Sequence, residues 1–243
     1  LTPLAAGHGE GGEAPGPLDA AARDFDQLHL DIRVTPDLEQ GRIDGRVTIA
    51  FEARVVMTST AHRSGSDRIA ECVDSMGWPD DALIVNLQGD EPLMPPACLE
   101  QAARLLLEAP EADVASLYWP IESPAEVDDP NVVKVVTDSG GRALYFSRSP
   151  VPYPRAAGTA AAEMATGFSW NRHIGLYAYR ARALRAFTAM KPTPLEAIEK
   201  LEQLRFLESG RRIVMAQASE FIPAGVDTAE DLERLESLIT VSR

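Results

Sequence analysis

From residue 55 onward, short apolar runs alternate with segments whose apolar positions recur every three or four residues. The runs 82–88, 113–121, 132–138, 142–148, 173–180 and 212–218 predict strands. The segments 66–76, 96–109, 181–190, 194–210 and 229–240 predict helices. The fourth helix has a clear start, with Thr193 as N-cap, Pro194 in the first turn and Glu196 three after the cap, and Gly210 closes it. Val133–Asp138 and Arg142–Ser147 flank Ser-Gly-Gly and predict a hairpin. Strands alternating with helices imply an α/β fold, with a mixed, mostly parallel sheet and helices on both faces.

Residues 1–54 read differently. Residues 1–24 are rich in Gly, Ala, Pro and acid with no sustained period, which predicts a disordered tail. In residues 25–54, Leu28, Leu30, Ile32 and Val34 alternate with polar residues, as do Ile43, Val47, Ile49 and Phe51. That predicts a β-hairpin unrelated to the α/β domain at 55–243. The strand pattern of 27–53 weakly resembles the start of the N-terminal β-domain of the M1 zinc aminopeptidases. The HExxH signature of those enzymes appears nowhere, and His8, His29, His62 and His173 stand singly, so no peptidase activity follows.

Charge narrows the function. The chain has 243 residues and a formal net charge of −14, which argues against a general nucleic-acid binder. A nucleotide substrate stays compatible, because Mg²⁺ bridges phosphates and carboxylates. No apolar run approaches the roughly 18 residues that span a bilayer. Cys72 and Cys98 have neither metal-site spacing nor the density of a disulfide scaffold, and read as thiols of a cytoplasmic protein.

Candidate chemistry gathers where strands end, because open α/β sheets bind ligands at their carboxyl ends. In ALIVNLQGDEP the strand delivers Gln88, Gly89, Asp90 and Glu91 to such a tip. Asp90 is a hard oxygen ligand suited to Mg²⁺, although Gly-Asp before Pro92 is also common turn chemistry. Asp227 follows a short extended piece and could join Asp90 around a cation, or simply assist the cap of the next helix. Ser64, Gly65 and Ser66 offer small polar groups and free amides ahead of a helix, with Arg63 and Arg68 beside them. Glu199, Glu202 and Gln203 share one side of the fourth helix and read by default as a solvated face.

HRSGSDR, IVNLQGDEP, NVVKVV, ALYFSRSPVPYPR, RHIGLYAYR, TPLEAIEKLEQLR and GVDTAEDLER occur in this order. Together they resemble the 3-deoxy-manno-octulosonate cytidylyltransferases, over roughly residues 55–238. The resemblance implies a nucleotide-sugar transferase-like, Rossmann-like fold. It also implies a reaction in which CTP and the eight-carbon acid sugar Kdo give CMP-Kdo and pyrophosphate, for lipopolysaccharide synthesis in the cytoplasm. Carried over residue by residue, it implies Asp90 and Asp227 as Mg²⁺ ligands and Ser64, Gly65 and Arg68 as nucleotide contacts. Gln88, Arg172, His173, Tyr177, Glu202 and Gln203 become sugar contacts, with Arg172 and His173 holding the carboxylate. A homodimer is also implied.

The family pattern begins with a strand and a basic loop of the form RxxSxRLPGKPL that wraps the CTP phosphates. Nothing in residues 1–54 matches it, and the only lysines are Lys134, Lys191 and Lys200. The expectation is therefore a cytidylyltransferase with impaired turnover. The alternative is a non-catalytic relative, or a chimera joined near Arg54, acting only as a binding module.

Overall fold

In the described residues a six-stranded sheet is built around one long reversed strand. The structure, a computed structural model, describes residues 30–31, 52–53, 56–62, 64–89, 91–223, 225–226 and 233. The 1–24 tail, Asp90, Asp227 and nearly all of the 229–240 helix lie outside them. The chain divides into two units, residues 1–55 and 56–243. In the first, β1 (Leu30–Asp31) pairs antiparallel with β2 (Glu52–Ala53).

In the second unit the elements run α1 (Gly65–Ser75), β3 (Leu83–Asn86), α2 (Pro96–Glu108), β4 (Val114–Pro120), α3 (Pro124–Asp128), β5 (Lys134–Thr137) and β6 (Ala143–Ser147). They continue as α4 (Ala160–Met164), β7 (Asn171–Arg180), α5 (Ala181–Ala189), α6 (Pro194–Glu199), α7 (Gln203–Glu208) and β8 (Ile213–Gln217). All six strands predicted for this unit form. The sheet order is β6-β5-β7-β4-β8, with β3 also paired to β7.

Its sense departs from the expectation of a mostly parallel sheet. Only β4 and β8 pair in parallel, while β3, β4 and β5 each meet β7 antiparallel and β5 meets β6 antiparallel. The reason is the placement of β7. It runs against β3, β4, β5 and β8 and sits between them, so most ladders are antiparallel although four strands share one direction. An apolar run reads the same in either direction, so its sequence carries no sign of this.

One edge of β7 is covered by β4 along its length. The other meets β3 at residues 177–180 and β5 at residues 171–172. This order brings the amino end of β7 to the carboxyl ends of β3, β4 and β8, the end at which such sheets bind ligands.

Helices cover both faces, as expected. Val114 and Ala115, neighbours on β4 that point to opposite faces, are both fully buried. On one face Ile69 and Val73 of α1, Leu184 and Phe187 of α5, and Leu204 and Phe206 of α7 pack against Ile84, Tyr177 and Tyr179. On the other, Cys98, Ala102 and Leu106 present one stripe of α2 to Leu117, Ile174 and Leu176.

The single helix predicted over 194–210 is two. Lys200 adopts the left-handed region, with φ 57° and ψ 45°, and ends α6. That conformation costs a non-glycine residue about 1–2 kcal/mol. It is held from both sides. Glu196 accepts from the backbone N–H of Thr193 at 3.0 Å and from Arg205 Nε at 2.7 Å, so one buried carboxylate ties the start of α6 to α7. Glu199 accepts from the Ser147 hydroxyl at 2.7 Å and the Arg148 backbone N–H at 2.9 Å, anchoring the end of α6 to β6.

Candidate active site

A cavity of about 320 Å³ lies at the amino end of β7, lined among others by Glu91, Asn131, Arg172, His173, Ile222 and Gly225. Its position follows from the sheet. Between β3 and the His173 N–H bond to the Val133 carbonyl, one edge of β7 is left open at residues 174–176. The turn after β3 brings Glu91 to the gap, and the segment before β5 brings Asn131–Val133.

That second wall is fixed by Lys134. Its fully buried ammonium donates to the carbonyls of Asp129 (2.8 Å), Val132 (2.6 Å) and Arg148 (2.6 Å). Burial lowers its pKa, against which Asp129 and Asp128 act as opposite charges. Gln88 sits in the turn after β3, where its carbonyl accepts from the Glu91 N–H at 3.2 Å.

Arg172 and His173 are neighbours on β7 and so leave it on opposite faces. Arg172 donates from Nη2 to the Ile222 carbonyl at 2.9 Å and lies 5.8 Å from the Phe221 ring centroid. One such bond uses only part of the guanidinium fork, and the rest suits an anion in the cavity. His173 packs edge-on to Phe146 at 5.1 Å and beside Tyr177 at 5.3 Å, with Nε2 3.1 Å from the Ser116 hydroxyl.

Burial lowers the His173 pKa to about 3, so the ring is neutral at physiological pH. A neutral ring offers a carboxylate a hydrogen bond but no charge, so of the expected pair Arg172 is the charged member. Burial of the ring also makes stability depend on pH. A histidine titrates at about 6.5 in the unfolded chain. Between that value and about 3 the unfolded state binds the extra proton. Unfolding free energy is therefore expected to fall as pH drops through this window, by on the order of a few kcal/mol in total. Urea unfolding of wild type and His173→Phe from pH 7 to 4 checks it, because the variant should lose part of the slope.

On the His173 face, Tyr177 stacks on Tyr179 at 5.5 Å, and burial pushes both phenols up. Glu202 stands close enough to add to both shifts. Its carboxylate accepts from the Ser66 hydroxyl at 3.0 Å. Burial raises the Glu202 pKa, against the lowering effect of that bond. Gln203 follows in the first turn of α7 and is buried. The solvated face expected for Glu199, Glu202 and Gln203 is therefore overturned, because the break at Lys200 turns these residues inward.

Ser64 caps α1, accepting from the Asp67 N–H at 3.2 Å, and Gly65 stands exposed at the first turn. Arg68 lies one turn further on. The Ser66–Glu202 bond joins this loop to the α6–α7 turn, so the expected nucleotide and sugar contacts meet across one hydrogen bond. Ser116 stands outside the residues the sequence pattern and the resemblance single out, although a lone Ser inside the apolar run VASLYW is a readable signal. Among the described residues no group of three or more His, Cys, Asp or Glu could hold a metal. None of their helices is long and apolar enough to cross a membrane.

A family model described as cytidylyltransferase matches residues 44–213. The match begins inside the 25–54 segment that the sequence pattern sets apart. The chain is 50% identical over 193 residues to the 3-deoxy-manno-octulosonate cytidylyltransferase of Thioalkalivibrio sulfidiphilus, covering 79% of this chain and 77% of that one. It is 49% identical over 188 residues to the same-named protein of Nitrosococcus oceani, covering 76% and 73%. A solved structure of CMP:2-keto-3-deoxy-manno-octonic acid synthetase complexed with CTP superposes with a TM-score of 0.68 at 35% identity, covering 79% of this chain and 74% of that one. By fold and by sequence the chain belongs to the cytidylyltransferase family, among its 3-deoxy-manno-octulosonate members.

Proposed function

We propose that this chain transfers a cytidylyl group from CTP to Kdo, giving CMP-Kdo and pyrophosphate. The supporting observation is the cavity, where a strand-tip carboxylate segment, a guanidinium and a neutral imidazole converge at the ligand-binding end of the sheet. In the reaction the sugar's anomeric hydroxyl attacks the α-phosphorus. The new O–P bond forms as the bond to the β-phosphate oxygen breaks, and the hydroxyl proton is released.

Arg172 binds the sugar carboxylate. Glu202, Gln203 and Gln88 bind hydroxyls, and Tyr177 closes the aromatic wall beside His173. Ser64, Gly65 and Arg68 hold the nucleotide at the mouth of α1. Asp90 and Asp227 hold Mg²⁺, and their donor set, two hard carboxylate oxygens, fits that ion. Glu91, next to Asp90, and Gly225, two residues before Asp227, line the same cavity. When bound, Mg²⁺ neutralises phosphate charge.

Detection of CMP-Kdo by mass spectrometry, in mixtures with and without Kdo, tests the reading. Pyrophosphate release that ignores Kdo would overturn it. Arg172→Ala is expected to weaken Kdo binding by about 1.5–3 kcal/mol, the range for a hydrogen bond to a charged group. Titration calorimetry measures this, and an unchanged affinity would move the carboxylate elsewhere.

A further inference from the structure

We infer that Ser116 is a positioning residue. It holds His173 as the Nε2–H tautomer and so presents Nδ1 as a hydrogen-bond acceptor for a hydroxyl of the sugar acid. The use made of Nδ1 rests on the proposed function, whereas the tautomer does not.

The placement begins with an irregularity in the sheet. Ser116 of β4 faces Tyr177, but the next residue, Leu117, faces Ile174. Gly175 and Leu176 are thus left over on β7 as a bulge, and bulges interrupt the ladder and re-aim side chains. The Ser116 hydroxyl fills the interruption. It lies 2.9 Å from the Leu176 carbonyl and 3.1 Å from the Ile174 carbonyl, in a residue with no exposed surface.

The proton count then decides the tautomer. A serine hydroxyl has one proton, and a carbonyl oxygen can only accept. Donation to Nε2 would leave the hydroxyl oxygen against two carbonyl oxygens at 2.9 and 3.1 Å with no proton between them, so the Ser116 proton goes to a carbonyl and its lone pairs face His173 Nε2 at 3.1 Å. Nε2 must supply the proton for that contact. The neutral ring has one N–H, so Nδ1 is left with its lone pair and makes no hydrogen bond to a described residue.

Such an atom attracts a donor and repels an oxyanion. A polyhydroxylated acid offers donors in its hydroxyls and an oxyanion in its carboxylate, so the ring discriminates between the two ends of the sugar. Arg172, leaving the opposite face of β7, takes the other end. The pair thereby fixes orientation as well as affinity.

Long-range ¹H–¹⁵N spectra of the histidine rings in the full chain test the tautomer directly. The expected His173 pattern is the neutral Nε2–H form, unchanged between about pH 6 and 8. Ser116→Ala should replace it with a mixed or reversed pattern and weaken Kdo binding about tenfold, with CTP binding unchanged. Ser116→Thr, which keeps the hydroxyl, should restore both. A wild-type spectrum with the proton on Nδ1 overturns the assignment whether or not the alanine variant folds. Unchanged Kdo affinity in a folded Ser116→Ala protein also overturns it. If wild type binds no Kdo at all, the proposed function fails instead, and the spectrum alone decides the tautomer.

Discussion

Given CTP, Kdo and Mg²⁺, the chain is expected to form CMP-Kdo at least about a thousandfold more slowly than a relative carrying the basic loop RxxSxRLPGKPL. In nucleotidyl transfer little covalent work falls to the protein, and the rate comes from positioning and from charge placed at the phosphates. A preorganised donor at a developing charge is worth about 2.7–4 kcal/mol. Each 1.36 kcal/mol is roughly a factor of ten in rate, so one or two such contacts account for the expected deficit.

Residues 1–54 contain five arginines, Arg23, Arg33, Arg42, Arg46 and Arg54, and no lysine. Of the three lysines elsewhere, Lys134 spends its protons on buried carbonyls and the other two lie on the exposed surface around α6. The sugar side depends on other residues, so the loss should fall on kcat rather than on Kdo affinity. A side-by-side pyrophosphate-release assay with a relative that carries the loop, together with Kdo titration, separates the two. Comparable kcat would show that a group within residues 1–54 replaces the loop.

The strands and most helices of the second unit are legible in the sequence, because apolar period and burial coincide along β3–β8, α1, α2 and α5. Strand direction is not. Hydropathy along β7 is indifferent to whether its neighbours run with or against it, and the reversal decides that Arg172 and His173 reach the strand tips of β3 and β4. The break at Lys200 is also hidden. Leu195 and Ile198 continue the apolar period of Leu201 and Leu204, yet Ile198 is 81% exposed while Leu204 is fully buried. What ends the helix is tertiary, namely the carboxylates of Glu196 and Glu199 bound to residues distant along the chain. Glu202 and Gln203 stand out only by family resemblance, which carries positions without geometry. The turn explains how Glu202 comes to face Ser66 and Tyr177 and how Gln203 comes to be buried.

The last expectation follows from that turn. Glu196→Ala should destabilise the protein by about 3–5 kcal/mol, as removing one partner of a buried ion pair does. Glu196 and Arg205 are each 8% exposed, with Arg205 Nε and Nη2 both engaged by the one carboxylate. The Arg205 guanidinium also lies 3.9 Å from the centroid of the Phe187 ring. Without Glu196 this buried cation keeps only the Phe187 ring and carbonyl and the carboxylates of Glu202 and Asp67, none of which engages Nε or Nη2, so it loses its direct ion-pair partner. Removing both charges at once, as Glu196→Leu with Arg205→Met, should cost far less, because no unpaired ion remains. Urea unfolding of the two single variants and the double variant measures the coupling as a thermodynamic cycle. The same pair holds the α6–α7 turn in place, so Glu196→Ala should also weaken Kdo binding through Glu202 at temperatures where the variant is still folded. A loss below about 1 kcal/mol, the range of an exposed pair, would mean that the carboxylate is solvated and that Lys200 needs no such anchor.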